Sequence, residues 1–230
     1  MELDYLVVAA HPDDAEIGLG GTIALLLAQG NKVGVLDLTN GEPTPFGDPG
    51  TRQRETVAAT AVLGLSWRDN LGLPNRRLEA TLEARAALAN VFRSVRPRVL
   101  FAQYWEDSHP DHVAACQLVE AARFWAKLSK TDLQGQPHYP ERILHYFSIH
   151  LRLTPQPACI MDVSGFMAKK MQALECYHSQ FLAGRATGSP DVLEAVRAQG
   201  RYWGWAIRAE YGEPLATREN LGLRGLRDLV

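Results

Sequence analysis

Short apolar runs alternate with stretches of helical character along much of the chain. Tyr5–Ala10, Val33–Leu38 and Val99–Ala102 have the length and the continuous hydrophobicity of strands that are buried in a parallel sheet. Glycine, proline or small polar residues mark most boundaries between these runs and the helical stretches. This repetition of strand and helix predicts an α/β fold with a doubly wound, mainly parallel sheet.

The same pattern gives approximate bounds for the other elements. Helices are expected at Thr22–Gln29, Thr51–Leu63, Leu78–Val95, the later part of His109–Lys127, Gly165–His178 and Val192–Tyr211. Thr51 is the expected N-cap of its helix, because a threonine hydroxyl can accept a hydrogen bond from a free backbone N–H group in the first turn. Further strands are expected at Ile143–Ile149 and Cys159–Val163. No repeat or linker divides the chain, so we expect one domain over residues 1–230.

Composition and charge argue against several classes of partner. The 230 residues are 46% hydrophobic and 22% charged, with a net charge of −2, which gives no reason to expect nucleic acid or an anionic membrane. The apolar stretches are too short to span a bilayer, and the strand-like start does not resemble a signal peptide. Cys116, Cys159 and Cys176 form no CxxC motif, which is typical of a reducing compartment. We therefore expect a cytoplasmic protein.

Two polar clusters follow predicted strands and contain most of the reactive side chains. The segment His11–Asp14 (HPDD) follows the first strand, and residues 106–112 (EDSHPDH) follow the strand that ends near Ala102. Ligands of open parallel sheets bind outside the carboxyl ends of the strands. If the two strands are neighbours, both clusters face the same crevice.

The spacing within each cluster predicts a metal site. His11 and Asp14 are three residues apart, as are His109 and His112 at a helix start where Pro110 fits the first turn. Imidazole nitrogens and a carboxylate are suitable ligands for zinc. Three ligands from these four groups would leave a coordination position for water, as in catalytic zinc sites, where the pKa of the water falls to roughly 7.

Other interpretations of these segments remain open at this point. Asp14 or Asp111 could serve only as a helix cap, although two His-Pro-Asp triplets after two strands favour a metal site. Gly18–Gly21 and Asp37 partly mimic a dinucleotide site, but the glycine spacing is not GxGxxG, and close packing explains it better. Glu42–Gly50 is either a lid over the site or a surface loop. A non-haem iron oxygenase and a sugar- or metal-binding module without turnover are the alternative functions.

Specific segments of this chain resemble the LmbE-like (PIG-L-type) N-acetylglucosaminyl deacetylases. The resemblance rests on AHPDDAEIGLGGTIA and EDSHPDH, and it continues through LDLTNGE, TRQRE, NLGLPNRRL and ALECYHSQF to about Phe181. The additional segments look like the branch that deacetylates N-acetylglucosaminyl-malate in bacillithiol biosynthesis. The resemblance implies a Rossmann-like three-layer fold, a homo-oligomer that is often a hexamer, and hydrolysis of an acetamide to acetate and a free amine.

The resemblance also implies a role for individual residues. The metal ligands would be His11, Asp14 and His112, holding Zn²⁺, with Fe²⁺ or another divalent ion as the alternative. Asp13 would be the general base, and a protonated His109 would stabilise the oxyanion. Arg52 and Arg142, the latter in PERILHY, fall where the family has arginines directed at the substrate.

Overall fold

The computed structural model describes residues 2–184 and 191–222, which form one seven-stranded sheet with helices on both faces. The strands are β1 Tyr5–Ala9, β2 Val33–Thr39, β3 Trp67–Leu73, β4 Val99–Gln103, β5 Arg142–Tyr146, β6 Cys159–Asp162 and β7 Gly212–Ala216. The helices are α1 Asp14–Ala28, α2 Pro49–Leu63, α3 Leu82–Val95, α4 Pro110–Ala126, α5 Met167–Glu175, α6 His178–Phe181 and α7 Val192–Ala206. The predicted three-layer α/β fold with a mainly parallel sheet is confirmed.

The strand order of the sheet explains where a site can form. The order is β3-β2-β1-β4-β5-β7-β6, and the strands from β3 to β5 are parallel to one another. β7 is antiparallel to both β5 and β6. The chain runs outward from β1 to β3 and then returns to β4 on the other side of β1, so the order reverses between β1 and β4. A crevice at the carboxyl ends of these two strands is the expected ligand site of such a sheet.

The central strands separate two hydrophobic cores, because alternate side chains point to opposite faces. Val7 of β1 and Val35 of β2 pack with α1, α2, α5, α6 and α7 on one face. Leu6 and Leu36 of the same strands pack with α3 and α4 on the other. Within the described part of the chain, no helix has both the length and the apolar character needed to cross a membrane.

Two strands were not anticipated from the sequence. β3 (WRDNLGL) is an edge strand with charged side chains and a glycine, so it lacks the apolar run that marks β1 and β2. β7 contains Pro214 and a glutamate, both of which are rare in central strands. Burial of β7 depends on an ion pair of Glu213, which a propensity-based prediction does not detect.

Several helix starts also differ from the predicted ones. α1 begins at Asp14 and not at Thr22. The segment Gly18–Gly21, which was expected to precede the helix, is helical and buried. The N-cap of α2 is Asp48, whose carboxylate accepts hydrogen bonds from the backbone N–H groups of Gly50 and Thr51. Thr51 therefore lies inside the first turn, since an aspartate three residues earlier already satisfies the free donors.

Helix α1 is buried on nearly all sides and ties the HPDD turn to the centre of the molecule. Twelve of its fifteen residues are buried. A Cβ atom at Gly18 would lie 2.3 Å from Tyr146 Cδ2, and one at Gly21 would lie 2.7 Å from Val163 Cβ. Only glycine permits this close approach, which agrees with the packing role expected for the GLGG segment.

A buried ion pair supports the middle of α1. Lys170 Nζ lies 2.6 Å from Glu213 Oε1, and both side chains are at most 5% exposed. The Glu213 carboxylate also accepts hydrogen bonds from the backbone N–H groups of Gly21 and Thr22, at 3.0 and 2.7 Å. The glutamate thus joins α5, β7 and α1 at one point.

Replacing Glu213 with alanine should destabilise the protein by about 3–5 kcal/mol, because it leaves Lys170 as a buried charge without its partner. Urea unfolding followed by circular dichroism measures this loss. The control is Glu175→Ala, which removes an exposed partner 4.0 Å from Arg197 and should change the free energy of unfolding by no more than about 0.5 kcal/mol. Equal effects of the two substitutions would contradict a structural role for the buried pair.

Candidate active site

The two polar clusters meet at the carboxyl ends of β1 and β4. His11 follows β1, and the cluster leads directly into α1; His109 is the N-cap residue of α4, which follows β4. The ring centroids of His11 and His109 are 4.8 Å apart, and those of His11 and His112 are 5.4 Å apart. The parallel pairing of β1 with β4 therefore places residues about a hundred positions apart in one crevice.

Three of the predicted ligands present nitrogen and oxygen atoms to a common point. His11 Nδ1 lies 3.1 Å from Asp14 Oδ2, and His112 Nε2 lies 3.3 Å from Asp14 Oδ1. One ligand atom from each of these residues falls within 4.8 Å of the others. His112 Nε2 is buried and has no hydrogen-bond partner among the described residues, which is costly for a polar atom unless another group binds it. The donor set and the unpartnered nitrogen fit a zinc ion.

The remaining nitrogen of each of these histidines faces a carboxylate. His11 Nε2 lies 3.2 Å from Asp111 Oδ2, and His112 Nδ1 lies 3.0 Å from Asp107 Oδ2. Asp111 also accepts hydrogen bonds from the backbone N–H groups of Arg76 and Leu78. Histidines that bind metals are commonly oriented by such carboxylates on the nitrogen opposite the metal.

A second group of candidate ligands, His11, His109 and Asp111, shares one residue with the first. Several of its lone pairs are already engaged, since His109 Nδ1 accepts a hydrogen bond from the N–H of Asp111 at 3.2 Å and the Asp111 carboxylate accepts the bonds described above. The set with His112 is therefore better suited to hold an ion.

The electrostatics of the crevice favour positive charge. Burial lowers the pKa of His112, but Asp14 and Asp107 outweigh this effect and raise it to about 10. Burial also acts against protonation of His11, yet hydrogen bonds to Asp111 and Asp14 raise its pKa to about 9. For Asp14, the two histidines overcome burial and hold the carboxyl pKa well below its ordinary value. Carboxylates that favour protonated imidazoles in this way would equally favour a bound cation.

Asp13 lies next to the metal-ligand set and has the properties of a proton acceptor. Burial raises the pKa of its carboxyl to about 7, against the opposing effect of the positive Arg52. Arg52 Nη1 donates a hydrogen bond to Asp13 Oδ2 at 3.0 Å. Asp13 has φ 107° at the start of α1, in the left-handed region, and its side chain makes no capping bond. The carboxylate is thus directed into the crevice, where a pKa near neutrality suits proton transfer.

The surroundings of His109 favour its uncharged form, whereas the resemblance implies a protonated residue. Its Nδ1 accepts the backbone N–H of Asp111, so that nitrogen carries a lone pair. Burial, followed by repulsion from His112 and His11, lowers its pKa to about 4. This lowered pKa favours the uncharged imidazole, whose Nε2–H can donate a hydrogen bond.

The two arginines of the sequence prediction lie in different places. Arg52 is only 4% exposed and borders the site, where its Nε also lies 3.5 Å from Glu42 Oε1. Arg142 begins β5, and its Nη1 donates a hydrogen bond to the carbonyl oxygen of Asn220. The first residue of a parallel strand lies at the amino edge of the sheet, opposite the crevice. Arg142 therefore lies away from the crevice that contains Arg52 and the histidines.

A cavity of about 310 Å³ opens above the histidines and extends between the loops that follow β2, β3 and β5. Its lining includes His11, Asp13, Asp14, Gly41, Pro43, Thr44, Arg52, Asn75, Arg76, His109, His112, Ile149, His150, Gln180, Phe181 and Val192. His150 follows β5, so its position could have been anticipated from the rule that ligands bind at the carboxyl ends of parallel strands. Arg76 follows β3 in the same way, but the apolar pattern did not mark that strand, and Gln180 lies in the short helix α6.

A separate group, Cys116, Glu120 and His145, is also close enough to ligate an ion. Arg218 Nε lies 2.9 Å from Glu120 Oε1 in this group. A cation therefore already neutralises the carboxylate there, in contrast to the unpartnered His112 Nε2 in the crevice.

Known proteins resemble this chain in sequence and in fold. A family model described as GlcNAc-PI de-N-acetylase matches residues 6–123. The diacetylchitobiose deacetylase of Thermococcus kodakarensis is 32% identical over 191 residues, which cover 76% of this chain and 69% of that protein. The 1D-myo-inositol 2-acetamido-2-deoxy-alpha-D-glucopyranoside deacetylase of Streptomyces avermitilis is 28% identical over 265 residues, covering 93% and 89%. A crystal structure of a conserved protein from Thermus thermophilus superposes with a TM-score of 0.89 at 40% identity, covering 96% of this chain and 97% of that one.

Replacing His112 with alanine should abolish tight zinc binding, because it removes a ligand nitrogen that forms no hydrogen bond with any residue the structure describes. Zinc should raise the melting temperature of the unchanged protein, as any ligand that binds only the folded state does, and should not raise that of His112→Ala. Zinc content and thermal denaturation measure both effects. His178→Ala, an exposed histidine on α6, is the control and should bind zinc normally. Unaltered zinc binding by His112→Ala would contradict the ligand set.

Proposed function

Since the chain belongs to the GlcNAc-PI de-N-acetylase (PIG-L) family, we propose that it is a zinc-dependent hydrolase that removes the acetyl group from N-acetylglucosaminyl conjugates. The observation that carries this proposal is the unpartnered His112 Nε2 beside His11 and Asp14, with a carboxylate of raised pKa next to them. A binding module would need the ligands but has no use for Asp13. The deacetylase activities of the two curated relatives support the same class of reaction.

His11, Asp14 and His112 would hold the ion, which when bound would act as a Lewis acid and make hydroxide available at neutral pH. Asp13 accepts a proton from the water that attacks the acetamide carbonyl carbon. The Nε2–H of His109 donates a hydrogen bond to the oxygen that becomes negatively charged. Asp13 then returns the proton to the nitrogen as the C–N bond breaks, which yields acetate and a free amine.

Arg52 has a positioning role in this scheme in addition to any contact with the substrate. Its guanidinium lies between Asp13 and Glu42. The bond to Asp13 Oδ2 leaves the other carboxylate oxygen, Oδ1, to receive the proton. A charged hydrogen bond of this kind fixes the direction of the carboxylate more firmly than a neutral one would.

For the substrate, we propose the malate conjugate of N-acetylglucosamine that the bacillithiol branch uses. The conjugate carries carboxylates, and Arg76 offers a charge for them at the rim of the cavity. Arg76 is exposed, and its Nη2 donates a hydrogen bond to the carbonyl oxygen of Pro43. Among the residues that the structure describes, no carboxylate forms an ion pair with it. The homo-oligomer that the resemblance implies stays a prediction.

Replacing Asp13 with asparagine should lower the rate of amine release from N-acetylglucosaminyl-malate by about 10²- to 10⁴-fold, because an amide cannot accept the proton. Zinc content should be unchanged, since Asp13 is not among the ligands. The control is Asp132→Asn, which alters an exposed carboxylate in the loop after α4. Full turnover by Asp13→Asn would show that another group is the base. The absence of amine release from any acetamido sugar, with oxygen consumption in its place, would support an iron oxygenase.

Replacing Arg76 with glutamine should raise KM for the malate conjugate by about 10- to 100-fold, which corresponds to a charged hydrogen bond of about 1.5–3 kcal/mol. The KM for methyl N-acetylglucosaminide, which lacks a carboxylate, should not change. Steady-state kinetics with both substrates measure this difference. Arg77→Gln, at the neighbouring exposed position outside the cavity lining, is the control. Equal effects of Arg76→Gln on both substrates would contradict a carboxylate contact.

A further inference from the structure

The nitrogen of His112 that faces away from the crevice has two polar partners from two different loops. Asp107 Oδ2 lies 3.0 Å from His112 Nδ1, and Ser148 Oγ lies 3.1 Å from the same atom. The Ser148 hydroxyl also donates a short hydrogen bond to Asp107 Oδ2. Asp107 belongs to the loop between β4 and α4, whereas Ser148 follows β5.

The Asp107 carboxylate connects His109, the N-cap of α4, with His112 in the first turn of that helix. Its Oδ1 atom accepts the backbone N–H of His109 at 2.8 Å, while Oδ2 accepts from His112 and Ser148. The side chain is only 2% exposed, so water does not compete for these bonds. The four contacts among Asp107, Ser148, His109 and His112 form a closed network at one end of α4.

We propose that Asp107 and Ser148 act together as positioning residues that fix His112 for metal binding. Asp107 keeps the proton of the imidazole on Nδ1, so that Nε2 carries its lone pair toward Asp14 and His11. Ser148 holds the carboxylate oxygen from the opposite side and prevents its rotation. This inference rests on the proposed ligand set, and it assigns to two residues outside that set a share of the affinity for the ion. Partners of this kind typically contribute 10- to 100-fold to metal affinity.

A carboxylate is required at position 107 because its loss would favour the other tautomer of His112, with the proton on Nε2. An asparagine at position 107 has one carbonyl oxygen and one NH₂ group in place of two acceptor oxygens. If its oxygen accepts the His109 N–H, its NH₂ group faces His112 Nδ1 and favours the proton on Nε2. That proton blocks the atom that must bind the ion. A residue that only supported the turn would not have this effect, because asparagine forms the same kind of turn as aspartate.

The test compares zinc affinity of the apoprotein and its variants by competition with a chromophoric chelator. Asp107→Asn should bind zinc 10- to 100-fold more weakly than the unchanged protein, and Ser148→Ala should show a smaller loss of a few-fold. The melting temperatures of the apo forms report on folding alone and should remain close to that of the unchanged protein. Nitrogen-15 NMR of histidine in the zinc form of the unchanged protein should show His112 bound through Nε2 with its proton on Nδ1, and binding through Nδ1 would overturn the proposal.

Asp162→Asn is the matched control, since Asp162 accepts the backbone N–H of Ser164 in the same type of turn at the end of β6. Its zinc affinity should be unchanged. Zinc affinity of Asp107→Asn within twofold of the unchanged protein would overturn the positioning role and leave the proposed function intact. Failure of the unchanged protein to bind zinc would overturn the ligand assignment as well. If Asp107→Asn does not fold, Ser148→Ala decides, and an unaltered affinity there contradicts the proposal.

Discussion

The parallel pairing of β1 with β4 is the constraint on which the crevice depends. The register aligns Tyr5 with Val99 and Val7 with Phe101, so both strands end at the same level of the sheet. Gln103 at the end of β4 secures this alignment, because its Oε1 accepts the N–H of Ala10 and its Nε2 donates to Asp14 Oδ2. A slip of one residue in the register would turn alternate side chains to the wrong face and separate the two histidine motifs.

A second constraint is the amount of charge that the protein buries at this point. Asp13, Asp14, Asp107 and Asp111 converge on three imidazoles in a region that is largely closed to water. Buried carboxylates are unfavourable unless they are paired with positive charge and hydrogen-bonded. Arg52 provides the positive charge for Asp13, and a divalent ion would do so for Asp14. The arrangement of acids and bases in the crevice therefore follows from charge compensation as much as from the chemistry of acetamide hydrolysis.

The sequence predicted the parts of the site that depend on local spacing after apolar runs. His11, Asp14 and His112 could be placed together because each follows a strand that is apolar throughout. The charge of His109 could not be anticipated, since it depends on a backbone N–H that reaches its Nδ1 and on two neighbouring imidazoles. The distance of Arg142 from the crevice could not be anticipated either, because composition does not distinguish an arginine at the start of a strand from one at its end.

Strands β3 and β7 were not predicted from the sequence, because their stability comes from contacts with residues that are distant in sequence. Glu213 is compatible with a buried strand only because Lys170 and two N–H groups of α1 surround it. The N-cap of α2 is Asp48 and not Thr51. Aspartate and threonine are both favoured at N-caps, so only the path of the preceding loop determines which of them begins the helix. Most differences between the predicted and the observed elements therefore arise from interactions between segments that are distant in sequence.

The burial of α1 has a consequence for the way in which the protein opens. Residues at helix ends near a surface usually fray, and local opening of such segments requires far less free energy than global unfolding. The HPDD turn leads into a helix that glycine contacts hold against Tyr146 and Val163 on its inner sides. His11 and Asp14 are therefore coupled to the packing at the centre of the molecule, whereas the edge strand β3 pairs with a neighbour on one side only.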